Sequence, residues 1–158
     1  MATGIERLHF MEGEWDVKAF ITNDTGEWVS SPFPKETKVD KLLGGAFIKE
    51  DEVIISDGEE NTSYFVIWSY DQYRKIYQML VGNKSDGSVE ILEGNFVGDT
   101  IIVDNLRTGV AMPDADGQET YMQLSSVQTA DSFEDTVSIS VDKKVWTPVY
   151  RAMHTRRA

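Results

Sequence analysis

Two histidines, His9 and His154, and no cysteine occur among the 158 residues. Thiol nucleophiles, thiolate metal sites and disulfides are therefore excluded. Neither histidine has a His, Asp or Glu at the i+2 or i+4 spacing of a metal motif, and H-E-x-x-H does not occur. Asp114-Ala115-Asp116-Gly117-Gln118-Glu119 contains a D-x-D-G fragment. It lacks the longer fixed spacing and the downstream bidentate Glu of a calcium loop, so it reads as a turn. There is no glycine-rich phosphate loop and no G-x-S-x-G elbow. The residue patterns ask for no metal and no cofactor. The groups left for proton transfer are tyrosine, glutamate, aspartate, arginine and His154. A glutamate buried beside a tyrosine can move a proton without a metal, because burial raises its pKa toward neutrality. Glu93 is the candidate, sharing a strand face with Val89 and Ile91; the plainer reading is a rim carboxylate.

These residues need a scaffold, and length and charge bound it. A chain of 158 residues suits one domain, 1–158, with a core of its own. The formal charge of −12 repels phosphate backbones and anionic membranes, which argues against nucleic-acid and membrane partners. The charge is uneven. Between Asp86 and Asp135 the only base, Arg107, faces eleven acids, whereas Lys143, Lys144, Arg151, Arg156 and Arg157 crowd the last eighteen residues. MATGIERLHF lacks the basic and apolar regions of a secretory signal, and no apolar run approaches the ~20 residues of a membrane helix. Together with the absent cysteine this gives the expectation of a soluble cytoplasmic protein.

The hydrophobic period is two almost throughout. Thr3 and Glu6 have capping-box spacing, with Ile5, Leu8 and Met11 behind them, so one short N-terminal helix is predicted, ended by Gly13. Trp15, Val17, Ala19 and Ile21 then alternate with other residues, as in a strand with one buried face. Further strands are predicted at Glu36–Lys41, Ala46–Ile55, Ser63–Tyr70, Lys75–Val81, Ser88–Phe96, Thr100–Leu106, Glu119–Gln128, Phe133–Val141 and Val145–His154. Between them lie turns such as Asp57-Gly58, Ser85-Asp86-Gly87 and Gly98-Asp99. Pro32 and Pro34 mark a loop or an edge, and Arg107–Gly117 is the longest irregular stretch. About ten sequential strands must hide two sheet edges, and closing the sheet removes them. The expected fold is all-β: a closed antiparallel up-and-down barrel of about 8–10 strands with a short N-terminal helix. A two-sheet sandwich is the rival, with Arg107–Gly117 as the one connection long enough for a crossover.

Gly13-x-Trp15 after a short helix resembles the opening of the calycin superfamily, which includes lipocalins and fatty-acid-binding proteins. Leu43-Gly44-Gly45-Ala46-Phe47-Ile48, Tyr70-Asp71-Gln72-Tyr73-Arg74-Lys75-Ile76-Tyr77, Glu93-Gly94 and Tyr150-Arg151 are similar to a bacterial family of uncharacterised lipocalin-like barrels, over nearly the whole chain. The resemblance implies that the helix plugs one barrel end and that Trp15 packs across it. It also implies a cation–π lid from Arg151 on the last strand to Trp15; the alternative is an exposed strand charge. Haem-binding relatives of this barrel class carry a histidine near the place of His154, but their glycine-rich opening motif is missing here.

Two faces of the central strand compete for the interior, and the Tyr64/Trp68 face offers apolar walls with polar handles. The expected ligand-binding residues are Tyr64, Trp68, Tyr77, Met79, Tyr121, Gln123 and Glu93. Gly13, Trp15 and Arg151 are expected to be structural. Val149, Arg151 and Met153 are the face offered by the last strand. The same aromatics could simply fill the barrel. Three functions follow. The first is binding of a small apolar or aromatic molecule. The second is a metal-free isomerase, cyclase or decarboxylase acting in the same cavity. The third is a filled barrel that meets partner proteins through the Trp28–Phe33 loop or the basic tail. A homodimer is also possible, since barrels pair through exposed strands.

Overall fold

In a computed structural model, residues 4–32, 36–56, 59–84, 86–109 and 111–158 are described, with side chains described outside 54–63. The Thr3 cap, Phe33, Pro34, the Asp57-Gly58 turn and Ser85 lie outside the described residues.

Period-two patterning becomes strands as expected. They are β1 (Gly13–Thr22), β2 (Trp28–Ser31), β3 (Glu36–Leu42), β4 (Phe47–Ser56), β5 (Glu59–Asp71), β6 (Ile76–Asn83), β7 (Val89–Val97), β8 (Thr100–Asp104), β9 (Met112–Pro113), β10 (Glu119–Thr129), β11 (Ser132–Ser140) and β12 (Thr147–Arg156). Ten of them form one closed antiparallel ring, β1-β3-β4-β5-β6-β7-β8-β10-β11-β12, with β12 pairing back on β1. The short β2 and β9 lie off the ring, against β1 and β10. The sandwich is thereby excluded, because the described strands join in one sheet.

The helix is a 3-10 helix, Gly4–Met11, with Leu8 and Met11 buried beneath it. It stops one end of the ring. Tyr77 donates its hydroxyl to Gly4 O at 2.6 Å. Arg7 lies 3.6 Å over the Phe96 ring and donates to Gly98 O at 3.1 Å. Trp15 Nε1 donates to Met11 O at 2.7 Å, and its ring meets Phe133 edge-on at 4.8 Å. These contacts tie the stopper to three separate strands.

The lid over Trp15 differs from the expectation. Arg156, not Arg151, sits 4.2 Å over the Trp15 ring and donates to Glu12 O and Phe10 O. Arg151 lies on the outer face, paired with Glu134 and 5.1 Å from the Trp28 ring. The physical reason is the β1–β12 register, in which Trp15 faces Arg156 and Phe20 faces Arg151. Gly13 is required by the same lid. Its φ is +136°, and a Cβ there would stand 2.5 Å from Arg156 Nη1.

A second close approach occurs at Gly94. A Cβ there would come within 1.9 Å of Ile102 O on the neighbouring strand. We expect Gly94→Ala to cost about 3 kcal/mol or more, lowering Tm by roughly 6–12 °C in a thermal melt. For the lid, a double-mutant stability cycle between Trp15 and Arg156 is expected to return a coupling of about 0.5–1 kcal/mol. The same cycle between Trp15 and Arg151 is expected to be additive.

Candidate functional site

Strand alternation decides what reaches the interior. On β1 the inward residues are Trp15, Val17 and Ala19, and on β5 they are Val66 and Trp68, all buried. On β4 they are Ile48, Glu50 and Glu52, because Glu50 stands opposite Val66 and Glu52 opposite Tyr64. The β4–β5 register shifts after Glu52, where β5 carries an extra residue, and Val53 is buried as well. Opposite, β11 brings in Phe133, Asp135 and Val137, and β12 brings in Tyr150, Ala152 and His154.

The interior is not filled. A cavity of about 600 Å³ runs inward from an edge that includes the exposed Asn83, Met112, Pro113, Asp114 and Val141. Its walls include Val66, Trp68, Met79, Val81, Leu92, Leu124 and Val137. Five carboxyl side chains line it as well: Glu50, Glu52, Glu90, Asp114 and Asp135.

Glu50 and Glu52 are only 4% and 5% exposed. Trp68 Nε1 donates to Glu50 Oε1 at 2.5 Å. Burial, reinforced by the nearby Asp135 charge, pushes the Glu50 pKa up to about 8, and the Trp68 bond opposes it. Glu52 is held well above the carboxylate range by burial and then by the Glu50 and Asp135 charges; the Thr37 and Tyr64 hydroxyls pull the other way. Its Oε2 has no hydrogen-bond partner among the described residues. Asp135 is raised by burial, and its Oδ1 also lacks a partner there. Tyr64 and Tyr150 are held above the ordinary tyrosine range, chiefly by burial and then by Glu52. Glu50 therefore prefers to hold its proton near neutral pH.

Of the expected residues, Tyr64, Trp68, Met79 and Tyr121 line this cavity. Three others do not. Tyr77 faces inward at the stopped end, packed on Tyr70 and Phe96. Gln123 faces outward, because β10 turns Met122, Leu124 and Ser126 toward the interior and pairs Gln123 with Asp104 and Ser138. Glu93 is also outside the cavity. It is buried at 8% by Arg74, 2.9 Å away, and Gln78, 3.0 Å away, on the outer face. On the last strand the inward face is Tyr150, Ala152 and His154, the opposite of the expected Val149, Arg151 and Met153.

Glu50, Glu52, Asp135 and Tyr150 went unread as site residues. Lys49-Glu50-Asp51-Glu52 reads as a solvated charge run, and Asp135 sits in the acidic half of the chain. The available signal was the alternation of Ile48, Glu50 and Glu52 on one face of a strand bound for a barrel wall.

His154 is 1% exposed and stacks flat on Phe133 at 4.0 Å, with its Nδ1 3.9 Å from Asp135. Burial lowers its pKa against the pull of Asp135. It does not line the cavity, so this imidazole does not fit the role of a haem ligand there. The other histidine, His9, belongs to the stopper helix and faces Gly45 O at 3.3 Å. Asp114 Oδ1 accepts the Asp116 and Gln118 amides at 2.9 and 2.8 Å, which makes the D-x-D-G fragment a turn at the cavity edge.

These features define a closed ten-stranded antiparallel barrel, stopped at one end, with an acidic cavity inside. The chain is similar to the crystal structure of Rv2717c from M. tuberculosis, with a TM-score of 0.63 and 13% sequence identity over 98% of this chain and 97% of that chain. At that identity the likeness shows the fold: both chains form a barrel, and the neighbour is bacterial. No family model matches the sequence, and no curated protein matches it. Among the described residues no helix is long and apolar enough to cross a membrane.

The raised carboxyl makes a pH prediction. Unfolding returns Glu50 to its ordinary value of 4.5, whereas in the fold it titrates at about 8. Between those values the folded chain holds a proton that the unfolded chain has lost, so this group's contribution falls as pH rises through about 8. His154, with a depressed pKa, acts in the opposite sense below its ordinary value of 6.5. The window from pH 6.5 to 8.5 thus reads the carboxyls. We expect stability to fall across it, and Glu50→Gln to stabilise the protein at pH 8.5 by about 1–3 kcal/mol in urea unfolding. That gain should shrink at pH 6.5.

Proposed function

We propose that this protein binds a small, largely apolar or aromatic molecule inside its barrel. The observation that carries this reading is the cavity of about 600 Å³ with apolar walls and a few polar groups. That volume suits a ligand of drug-like size. The same observation speaks against the filled-core interaction protein. Membership of the lipocalin-like part of the calycin superfamily belongs to this proposal, supported by the shared barrel architecture and the Gly13-x-Trp15 opening. A cytoplasmic location belongs to it too, supported by the absence of cysteine. The net charge of −12 supports a partner that is neither nucleic acid nor an anionic membrane.

A second reading draws on Glu50. With its pKa pushed to about 8 inside the cavity, it holds a proton at neutral pH and can release it to a bound molecule. That is the requirement for a metal-free isomerase, cyclase or decarboxylase.

The binding reading is tested with the neutral fluorophore N-phenyl-1-naphthylamine. We expect saturable one-to-one binding with a blue-shifted emission. Met79→Trp, which fills the cavity from one wall, is expected to weaken it by about tenfold or more while the circular dichroism stays that of a barrel. Absence of saturable binding, together with no thermal stabilisation by the probe, overturns the reading.

A further inference from the structure

We propose that the cavity selects a cationic amphiphile: an apolar or aromatic body carrying a protonated amine that seats against the buried carboxyls Glu50, Glu52 and Asp135. This rests on the cavity-binding reading and specifies the chemical class of its ligand.

The first argument is the sign of the lining. Among the described residues the cavity is lined by five carboxyl side chains and no lysine, arginine or histidine. An anion would find no basic side chain among these lining residues to pair with, whereas an ammonium beside Glu50 and Glu52 favours release of the protons they hold and pairs with the carboxylates that result. The acids are also spread through the cavity. Asp114 is exposed at its edge, Glu90 is buried on the wall, and Glu50 and Glu52 are among the most buried of the lining residues.

The second argument is unspent hydrogen-bonding capacity. A buried carboxyl is costly unless it is paired or hydrogen-bonded. Glu52 is 5% exposed and lines the cavity, and its Oε2 has no partner among the described residues. Asp135 Oδ1 is in the same condition. The one basic side chain nearby, His154, lies 3.9 Å from Asp135, and both of its ring nitrogens are without a hydrogen bond. His154 is thus the basic group beside Asp135, and among the described residues Glu52 Oε2 has no partner. An ammonium group has three N–H donors and no acceptor, so it matches a set of acceptor oxygens. Trp68 lines the same cavity and presents its Nε1–H edge to Glu50. Among the described residues no group of His, Cys, Asp and Glu is spaced to hold a metal ion.

The test uses the full chain and three naphthyl probes of one shape in isothermal titration calorimetry at pH 7 and low salt: 2-(1-naphthyl)ethylamine, 2-(1-naphthyl)ethanol and 1-naphthylacetate. The amine is expected to bind about tenfold or more tighter than the alcohol, and the acetate to bind weakest. Glu52→Gln, of the same shape, is expected to remove most of the amine's advantage while leaving the alcohol's affinity within about threefold. Should that variant be poorly folded, Asp135→Asn serves the same comparison. If the amine shows no advantage over the alcohol, whether both bind or neither does, the ammonium proposal is overturned. N-phenyl-1-naphthylamine then separates the cases: if it still binds, the cavity reading survives alone, and if it does not, both fall.

Discussion

The structure depends on the seam between the first and last strands. β1 and β12 pair over seven residue positions, from Trp15 with Arg156 to Ile21 with Tyr150. This pairing turns an open sheet, with two aggregation-prone edges, into a closed ring. It also fixes the stopper, since the register sets Arg156 over Trp15, and Trp15 holds Met11 O at the end of the 3-10 helix. Beyond the seam, Arg157 at the chain's end bonds Asp16 at 2.8 Å and pairs with Glu36, drawing β3 to the same junction. Closure creates the low-dielectric interior, so the raised pKa values of Glu50, Glu52 and Asp135 follow from the same contact.

Those acids are an expensive choice for a barrel wall. Leu, Ile or Val at 50, 52 and 135 would bury apolar area and leave no orphaned oxygens. The fold tolerates Glu50 because burial keeps a proton on it near neutral pH, and a protonated carboxyl is far cheaper to bury than a charged one. A barrel selected for stability alone would not be expected to hold three buried acids around one cavity. Local departures from good packing of this kind mark functional sites more often than structural ones.

Much of the fold was legible in the sequence, because strand patterning and Asp-Gly turn chemistry act locally. All ten ring strands are read from alternation and turns, and Asp71 caps its turn through the amides of Tyr73 and Arg74, as its position suggests. The short β2 and β9 escaped notice because four and two residues carry too little periodicity. The site was legible only in part. Tyr64, Trp68 and Met79 announce themselves as large side chains on one face of adjacent strands. On β10 and β12 the two faces are similarly apolar, and the inward choice depends on register with distant partners rather than on local sequence. Glu50 and Glu52 are hidden by composition. Next to Lys49 and Asp51 they look solvated, and only the three-dimensional closure of the wall shows that they are not.

The helical stopper has a kinetic meaning. Among the described residues the Gly4–Met11 end is stopped, so a molecule bound as proposed would enter and leave through the opposite mouth. Access and exit would then share the mouth edged by Met112, Pro113 and Asp114. The leading end of an entering molecule is the end that reaches the bottom, and it is the last part to leave. Orientation in such a tube is decided at the threshold rather than at the binding site. Residence time would therefore respond to the loop around β9 as strongly as to the groups buried below it.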